Sequence, residues 1–119
     1  YDYRNIEVTI DEQDIFNVTI NESLAVALLT NLLKNAFVHN IDGGHIRITV
    51  TKNSITFRNS GVENPLDKEH IFVRFYQGTK KEGSRGLGLA IADSICRLQH
   101  LSIRYYFEQK EHCFEISRQ

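Results

Sequence analysis

The apolar and polar positions in the first half of the chain predict two strands followed by a helix. Residues 6–10 (IEVTI) and 15–20 (IFNVTI) are rich in β-branched side chains and flank the polar DEQD, which is typical of two strands joined by a turn. Asn21 is a favourable helix N-cap, and the apolar spacing after it predicts a helix from Leu24 to His39. The DGG at 42–44 is expected to end that helix.

The second half of the chain predicts two hairpins separated by an irregular stretch and a second helix. The four strands are 45–50 (HIRITV), 54–57 (SITF), 101–107 (LSIRYYF) and 113–117 (CFEIS). The buried side of the first hairpin is expected to consist of Ile46, Ile48, Val50, Ile55 and Phe57. Residues 59–85 lack regular spacing, and helical spacing resumes from Leu87 to Leu98. Strands in antiparallel pairs with single helices predict an α+β fold, with one mixed sheet covered on one face by helices.

Composition narrows the class of protein. The chain has 119 residues, of which 41% are hydrophobic, and this predicts a single domain over residues 1–119. Its net charge of -1 lacks the basic bias that nucleic acid binding requires, so nucleic acid is not expected as a partner. Cys96 and Cys113 lack metal-ligand spacing and are interpreted as reduced thiols in a cytoplasmic setting. Because the chain begins at Tyr1 rather than Met, we expect it to be part of a longer protein.

Three glycines stand at the start of the second helix, in the sequence EGSRGLGLAI. Unpaired backbone N–H groups at a helix start bind anions such as phosphate, and Gly83, Gly86 and Gly88 leave room for such a ligand. A flexible turn is the alternative. Two well-known phosphate-binding motifs are excluded. The P-loop requires Lys and Ser or Thr where Ser84 and Arg85 stand, and the dinucleotide fingerprint requires glycine in place of Ile91.

Two further motifs carry amides. Asn31 and Asn35 lie one turn apart on a helix that is apolar on nearly every other side, so we expect the helix to be buried and both amides to face a cleft. Asn35 has an oxygen suitable for Mg²⁺, although bonding of the pair to neighbouring backbone is the alternative. The sequence ITFRNSG places Asn59 at a strand end, two residues before Gly61, which is consistent with base recognition or with an ordinary turn.

The order of these motifs resembles one known family. Four motifs resemble, in order, the N box, first glycine box, F box and second glycine box of the sensor histidine kinase catalytic domain. They are NLLKNA, a strand followed by Asn-x-Gly, IFVRFYQ and GSRGLGLAI. That domain belongs to the GHKL ATP-binding superfamily, with DNA gyrase, the MutL repair proteins and a chaperone class. The resemblance covers almost the whole chain. It implies a two-layer α/β sandwich of the Bergerat type.

The resemblance also implies a site for ATP and Mg²⁺. Asn35 would ligate the metal, Asn59 would take the place of the aspartate that reads the adenine amino group, and Gly61 would let the ring lie close to the backbone. Phe72, Phe75 and Tyr76 would anchor the ATP lid. The second-box glycines would cradle the phosphates, and Gly86 or Gly83 would hinge the lid. The ATP-binding residues expected on this basis are Asn31, Asn35, His39, Asn59, Gly61, Phe75, Tyr76, Lys80, Gly83, Arg85, Gly86, Leu87 and Gly88.

The chain departs from the family pattern at several positions. Asn59 and Glu63 replace the Asp and the second Gly of the first glycine box, and an Asn can pair with an adenine edge as both donor and acceptor. Val38 stands where the family often has a basic residue. Arg85, with Lys80 and Lys81, is expected to supply that charge or else to belong to a solvated loop.

Asn31 also stands where hydrolytic members carry a general-base glutamate, which favours phosphoryl transfer over ATP hydrolysis. The phosphoacceptor histidine is expected on a dimerisation domain of the same protein, with a response regulator downstream. We expect the chain to be monomeric and its parent to be homodimeric, with this domain on the cytoplasmic side of a membrane-anchored sensor. Two alternatives remain: a degenerate interaction module that binds ATP weakly or not at all, and a related serine kinase that regulates a sigma factor.

Overall fold

The computed structural model describes residues 5–73 and 87–119. In those ranges the chain forms a five-stranded sheet, with strand order β1-β2-β3-β5-β4, and two helices. The elements are β1 (Glu7–Glu12), α1 (Glu22–Val38), β2 (His45–Val50), β3 (Ser54–Asn59), α2 (Gly88–Leu98), β4 (Leu101–Glu108) and β5 (Glu111–Arg118). None of the helices in these ranges is long and apolar enough to cross a lipid bilayer.

The sheet is mixed and mostly antiparallel, as predicted. β1 pairs in parallel with β2, whereas the β2–β3, β3–β5 and β4–β5 pairs are antiparallel. Both helices pack on the same face of the sheet, and the core lies between the two layers. Its most buried members include Leu28, Leu32, Phe57, Ile95, Cys96, Tyr105, Phe114 and Ile116. The predicted α+β fold with helices on one face is therefore confirmed.

The predicted hairpin between residues 6–10 and 15–20 is wrong. The chain leaves the sheet after β1, where the Gln13 N–H still donates to the Val50 carbonyl at 2.9 Å, and residues 15–20 form no strand. Phe16 instead packs with Val18 and Ile20 against the core as partly buried side chains. The alternation of apolar residues in this segment therefore reflects packing on the core edge. β1 pairs instead with β2, a strand beyond α1, and this parallel pair is what makes the sheet mixed.

Helix α1 begins at a capped end. The Leu24 N–H donates to Asn21 Oδ1 at 3.1 Å, which confirms the predicted N-cap, and the helix starts at Glu22. The prediction that this helix is buried on nearly every side is wrong, because Val26 and Leu29 are 60% and 39% exposed. α1 packs against β3 and α2 through one face, and its outer face remains open to solvent.

The two later hairpins are confirmed. β2 and β3 pair from Ile46 opposite Asn59 to Val50 opposite Ile55. β4 and β5 are joined by Gln109 and Lys110, both with positive φ (51° and 62°), as a two-residue hairpin turn of the primed type requires. β5 begins at Glu111, two residues earlier than predicted, and this places residue 112 inside the sheet.

Candidate functional site

A cleft of about 260 Å³ lies between α1 and the start of α2. Its lining consists of Asn31, Lys34, Asn35, Val38, His39, Leu87, Gly88, Leu89 and Ile91. Five of the residues predicted from the sequence as ATP ligands are therefore brought together here: Asn31, Asn35, His39, Leu87 and Gly88. Phe75, Tyr76, Lys80, Gly83, Arg85 and Gly86 lie outside the described residues, as does Lys81.

The Asn31 side chain lines this cleft and is hydrogen-bonded to its own helix. Its Nδ2 donates to the Ala27 carbonyl one turn earlier at 2.8 Å, so part of the amide bonds the backbone of its own helix. Its Oδ1 faces α2, where a Cβ atom added to Gly88 would lie only 3.3 Å away. A glycine at position 88 therefore allows the start of α2 to approach the α1 amide closely.

The start of α2 offers backbone donors to the cleft. Leu87 is the N-cap residue and makes no side-chain cap hydrogen bond, and Gly88 is the first helical residue. The first N–H groups of a helix have no partner within the helix and carry partial positive charge. Since Leu87 and Gly88 both line the cleft, this end of it favours an anion.

Lys34 was not singled out by the sequence analysis, although it also lines the cleft. Residues 31, 34, 35 and 38 follow helical spacing and share one face of α1, so the spacing of NLLKNA contained the signal. Lys34 and Val38 both line the α1 wall of the cleft, and Lys34 supplies the positive charge that Val38 lacks.

Asn59 ends β3 and is almost completely buried, with 2% of its surface exposed. Its Nδ2 donates to the Ser60 carbonyl at 2.8 Å, whereas its Oδ1 is buried and has no hydrogen-bond partner among the described residues. The two-point pairing with an adenine edge that the sequence suggested is therefore not available in this arrangement, because the amide donor is already used. What remains is one buried acceptor, and leaving such an atom unpaired costs about 1–3 kcal/mol.

Gly61 links the Asn59 loop to the cleft. A Cβ atom at this position would lie 2.7 Å from the backbone oxygen of His39 and 3.2 Å from His112 Cδ2. Asn59 and Gly61 are not part of the cleft lining. The loop that carries them contacts the end of α1 at His39, and His39 does line the cleft. The loop therefore adjoins the cleft at its His39 end.

A hydrogen-bonded pair supports this loop from the sheet. Tyr105 Oη lies 2.7 Å from His112 Nδ1, and His112 Nε2 lies 2.7 Å from the Val62 carbonyl. Burial lowers the pKa of His112, an effect that the hydrogen bond to Val62 partly opposes, and burial raises the pKa of Tyr105. Neither residue stands out in the sequence, because only the register of β5 shows that His112 faces the loop.

Comparison with known proteins assigns the chain to a family. Residues 20–117 match the family model described as Histidine kinase-, DNA gyrase B-, and HSP90-like ATPase. The sensor histidine kinase RppB of Synechocystis is 40% identical in an alignment of 84 residues that covers 63% of this chain and 18% of RppB. The heme sensor protein HssS of Staphylococcus aureus is 35% identical in an alignment of 109 residues that covers 87% of this chain and 24% of HssS. The chain thus spans less than a quarter of the length of these relatives.

Solved structures agree with this assignment. The catalytic domain of histidine kinase ThkA is 27% identical and has a TM-score of 0.80, with 96% of this chain and 78% of that chain covered. The mycobacterial sensor histidine kinase MprB has the same TM-score of 0.80 at 20% identity, with 96% and 83% covered, and shows the fold alone. The chain therefore belongs to the histidine kinase-, DNA gyrase B- and HSP90-like ATPase family, as an ATP-binding catalytic domain of the sensor histidine kinase type.

Proposed function

We propose that this chain binds Mg²⁺-ATP and presents the γ-phosphoryl group to a histidine on a separate dimerisation domain of the same protein. The observation that carries this proposal is the buried, unpartnered Oδ1 of Asn59, in a loop that adjoins the α1–α2 cleft. A buried acceptor without a partner is consistent with a ligand that donates a hydrogen bond there.

The adenine end of the ligand is assigned to the Asn59 loop. The 6-amino group of adenine is a donor, and Asn59 Oδ1 is an acceptor whose own amide N–H is occupied by Ser60. This arrangement also gives a reason for Asn in place of the family's Asp. An aspartate in the same rotamer would set a carboxylate oxygen 2.8 Å from the Ser60 carbonyl, where only a donor is favourable.

The phosphate end is assigned to the cleft. The uncapped N-terminus of α2, the absence of a side chain at Gly88 and the cation of Lys34 all favour an anionic group. These features lie on both walls of the cleft, so a phosphate chain placed there would contact both helices.

Mg²⁺ fits the donor set of the same cleft. Asn35 lines it with an amide, and among the described lining residues there is no carboxylate. Mg²⁺ in nucleotide sites keeps several water molecules and bonds phosphate oxygens, so one protein oxygen is sufficient, and we assign that role to Asn35. When bound, the ion would neutralise negative charge on the phosphates. Asn31 is an amide whose Nδ2 is bonded to Ala27, and it is no general base for water.

The whole-protein partners are part of the proposal. Transfer to a histidine on the dimerisation domain would be followed by transfer to a response regulator. Histidine kinase ThkA, 24% identical to this chain, was solved in complex with the response regulator protein TrrA. We also propose one domain over residues 1–119, a monomer in isolation within a homodimeric parent, and a position on the cytoplasmic side of a membrane-anchored sensor.

Calorimetric titration with ATP and with GTP, each with and without Mg²⁺, tests the nucleotide assignment. We expect Mg²⁺-dependent binding of ATP and much weaker binding of GTP, because guanine presents a 6-oxo acceptor to Asn59 Oδ1. Absence of ATP binding at millimolar concentration would contradict the proposal and would favour a docking module without nucleotide. Incubation of the ATP-loaded chain with its dimerisation domain then tests transfer, and phosphohistidine is the expected product.

A further inference from the structure

We propose that His112 is a positioning residue for the nucleotide, because it holds the loop 59–62 in the conformation that reads adenine. The inference rests on the proposed function and assigns a role to a pair, Tyr105 and His112, that lies outside the four boxes. It concerns how the reading loop is held in place, whereas Asn59 is the group that touches the base.

The hydrogen bonds of this pair have one consistent direction. The Val62 carbonyl can only accept, so His112 Nε2 donates to it at 2.7 Å. In the neutral imidazole Nδ1 is then an acceptor, and Tyr105 Oη donates to it at 2.7 Å. Tyr105 Oη in turn accepts from the Leu66 N–H at 2.9 Å. The chain of bonds ties the loop after β3 at two points to a side-chain pair of the sheet.

The imidazole is fixed by packing as well as by hydrogen bonds. Only 4% of His112 is exposed, and its ring centroid lies 5.9 Å from that of Tyr105 and 4.9 Å from that of Phe107. On its free edge, Cδ2 lies 3.2 Å from the position of a Gly61 Cβ atom. A side chain held on both sides in this way has one orientation, and the Val62 carbonyl is bonded to it.

The position of His112 relative to Asn59 explains why this bond matters for the nucleotide. The two residues are direct partners on β5 and β3, and His112 then reaches three residues along the loop to Val62. His112 therefore lies opposite Asn59, where the loop begins, and also holds the loop by its hydrogen bond to Val62. Loss of the bond to Val62 frees the loop beside Asn59 without removing any atom that contacts ATP.

Two substitutions separate the two nitrogens of the imidazole. His112→Gln retains an N–H at the place of Nε2 and can still donate to Val62. His112→Asn retains a polar atom at the place of Nδ1 but is too short to reach Val62. We expect His112→Asn to weaken binding of Mg²⁺-ATP about tenfold and His112→Gln to remain within about threefold of wild type. Binding of Mg²⁺-tripolyphosphate, which lacks the base, is expected to be unchanged in both.

The outcomes are distinguishable. If both variants bind Mg²⁺-ATP with the affinity of wild type, this inference is overturned and the proposed function stays intact. The same holds if a variant loses affinity equally for Mg²⁺-ATP and Mg²⁺-tripolyphosphate. No ATP binding by wild type would overturn both. If His112→Asn does not fold, Tyr105→Phe decides the matter, because it removes the hydroxyl through which the pair orients His112 and also holds the Leu66 N–H. A selective loss for ATP in this variant supports the inference, and wild-type affinity overturns it.

Discussion

Gly88 at the start of α2 lies close to the Asn31 amide of α1, since a Cβ atom on Gly88 would lie 3.3 Å from Asn31 Oδ1. This spacing is tighter than most carbon contacts in proteins, so a side chain at position 88 would have to displace the Asn31 amide. Asn31 is in turn anchored through Nδ2 to Ala27. The glycine therefore sets the geometry of the cleft.

Gly88→Ala is expected to weaken Mg²⁺-ATP binding without destabilising the fold. Gly88 does not have the positive φ that disfavours alanine, and alanine restricts the unfolded chain more than glycine, which offsets the small displacement of Asn31. The expected result is a several-fold rise in Kd with an unchanged or higher Tm, measured by calorimetry and thermal unfolding. Ser94→Ala is the matched control, because Ser94 lies in the same helix but not in the lining of the cleft. Equal affinities of wild type and Gly88→Ala would contradict the role of this spacing.

Lys34→Gln is expected to weaken binding of Mg²⁺-ATP and to leave binding of adenosine unchanged, because the lysine acts on the phosphates. The loss of affinity is expected to shrink as the salt concentration is raised, because mobile ions weaken the attraction between exposed charges. Their screening length is about 10 Å at 0.1 M salt. Lys52→Gln, in the turn between β2 and β3, removes the same charge away from the cleft and serves as control. Equal effects of the two substitutions would show that only net charge matters.

Asn59→Asp is expected to destabilise the fold even though it restores the family's residue. The carboxylate would replace the Nδ2 donor to the Ser60 carbonyl, and burial of the unpaired groups costs about 1–3 kcal/mol. Urea unfolding of Asn59→Asp beside Asn53→Asp, an exposed turn position, measures this cost. If Asn59→Asp is as stable as wild type, Asn59 Nδ2 does not donate to the Ser60 carbonyl in the way described here.

His112 and His70, whose pKa values are shifted in opposite directions, are expected to give opposite pH dependences of stability. Burial lowers the pKa of His112 below its ordinary 6.5, so the unfolded chain binds the proton more readily. Its contribution is complete above pH 6.5 and falls as the pH drops below that value. The hydrogen bond to Asp67 raises the pKa of His70, so the contribution of that pair is present below pH 6.5 and is lost as the pH rises through the raised pKa.

Urea unfolding between pH 5 and pH 8 separates the two contributions. His112→Gln is expected to lose the decline in stability on the acid side, and His70→Gln to lose the decline on the neutral side. An acid-side decline that persists unchanged in His112→Gln would show that His112 is not the neutral, buried group described above.

The sequence predicted the elements with strong periodicity and missed what depends on long-range pairing. The N-cap at Asn21 and the hairpin of β2 and β3 are encoded within a few neighbouring residues. Residues 15–20 alternate as a strand would, yet an extended segment that packs on a core edge requires the same alternation. The parallel partner of β1 lies beyond α1, and no local pattern distinguishes it from the nearer candidate.

The same division holds at the site. Asn31, Asn35 and Gly88 follow from short motifs, and the structure places them at one cleft. The helical spacing of residues 31, 34 and 35 also puts Lys34 on the face of the two amides, where it lines the cleft. Tyr105 and His112 could not be found this way, because their contact with the loop after Asn59 depends on the register between β3 and β5.

The most direct test of the central claim compares ATP with the triphosphate of purine riboside, which lacks only the 6-amino group. Titration of both into the wild-type chain with Mg²⁺, followed by calorimetry, measures the hydrogen bond between that amino group and Asn59 Oδ1. We predict that purine riboside triphosphate binds about tenfold more weakly than ATP, because the buried oxygen is left without a donor. Equal affinities for the two nucleotides would contradict the assignment of Asn59 as the adenine-reading residue.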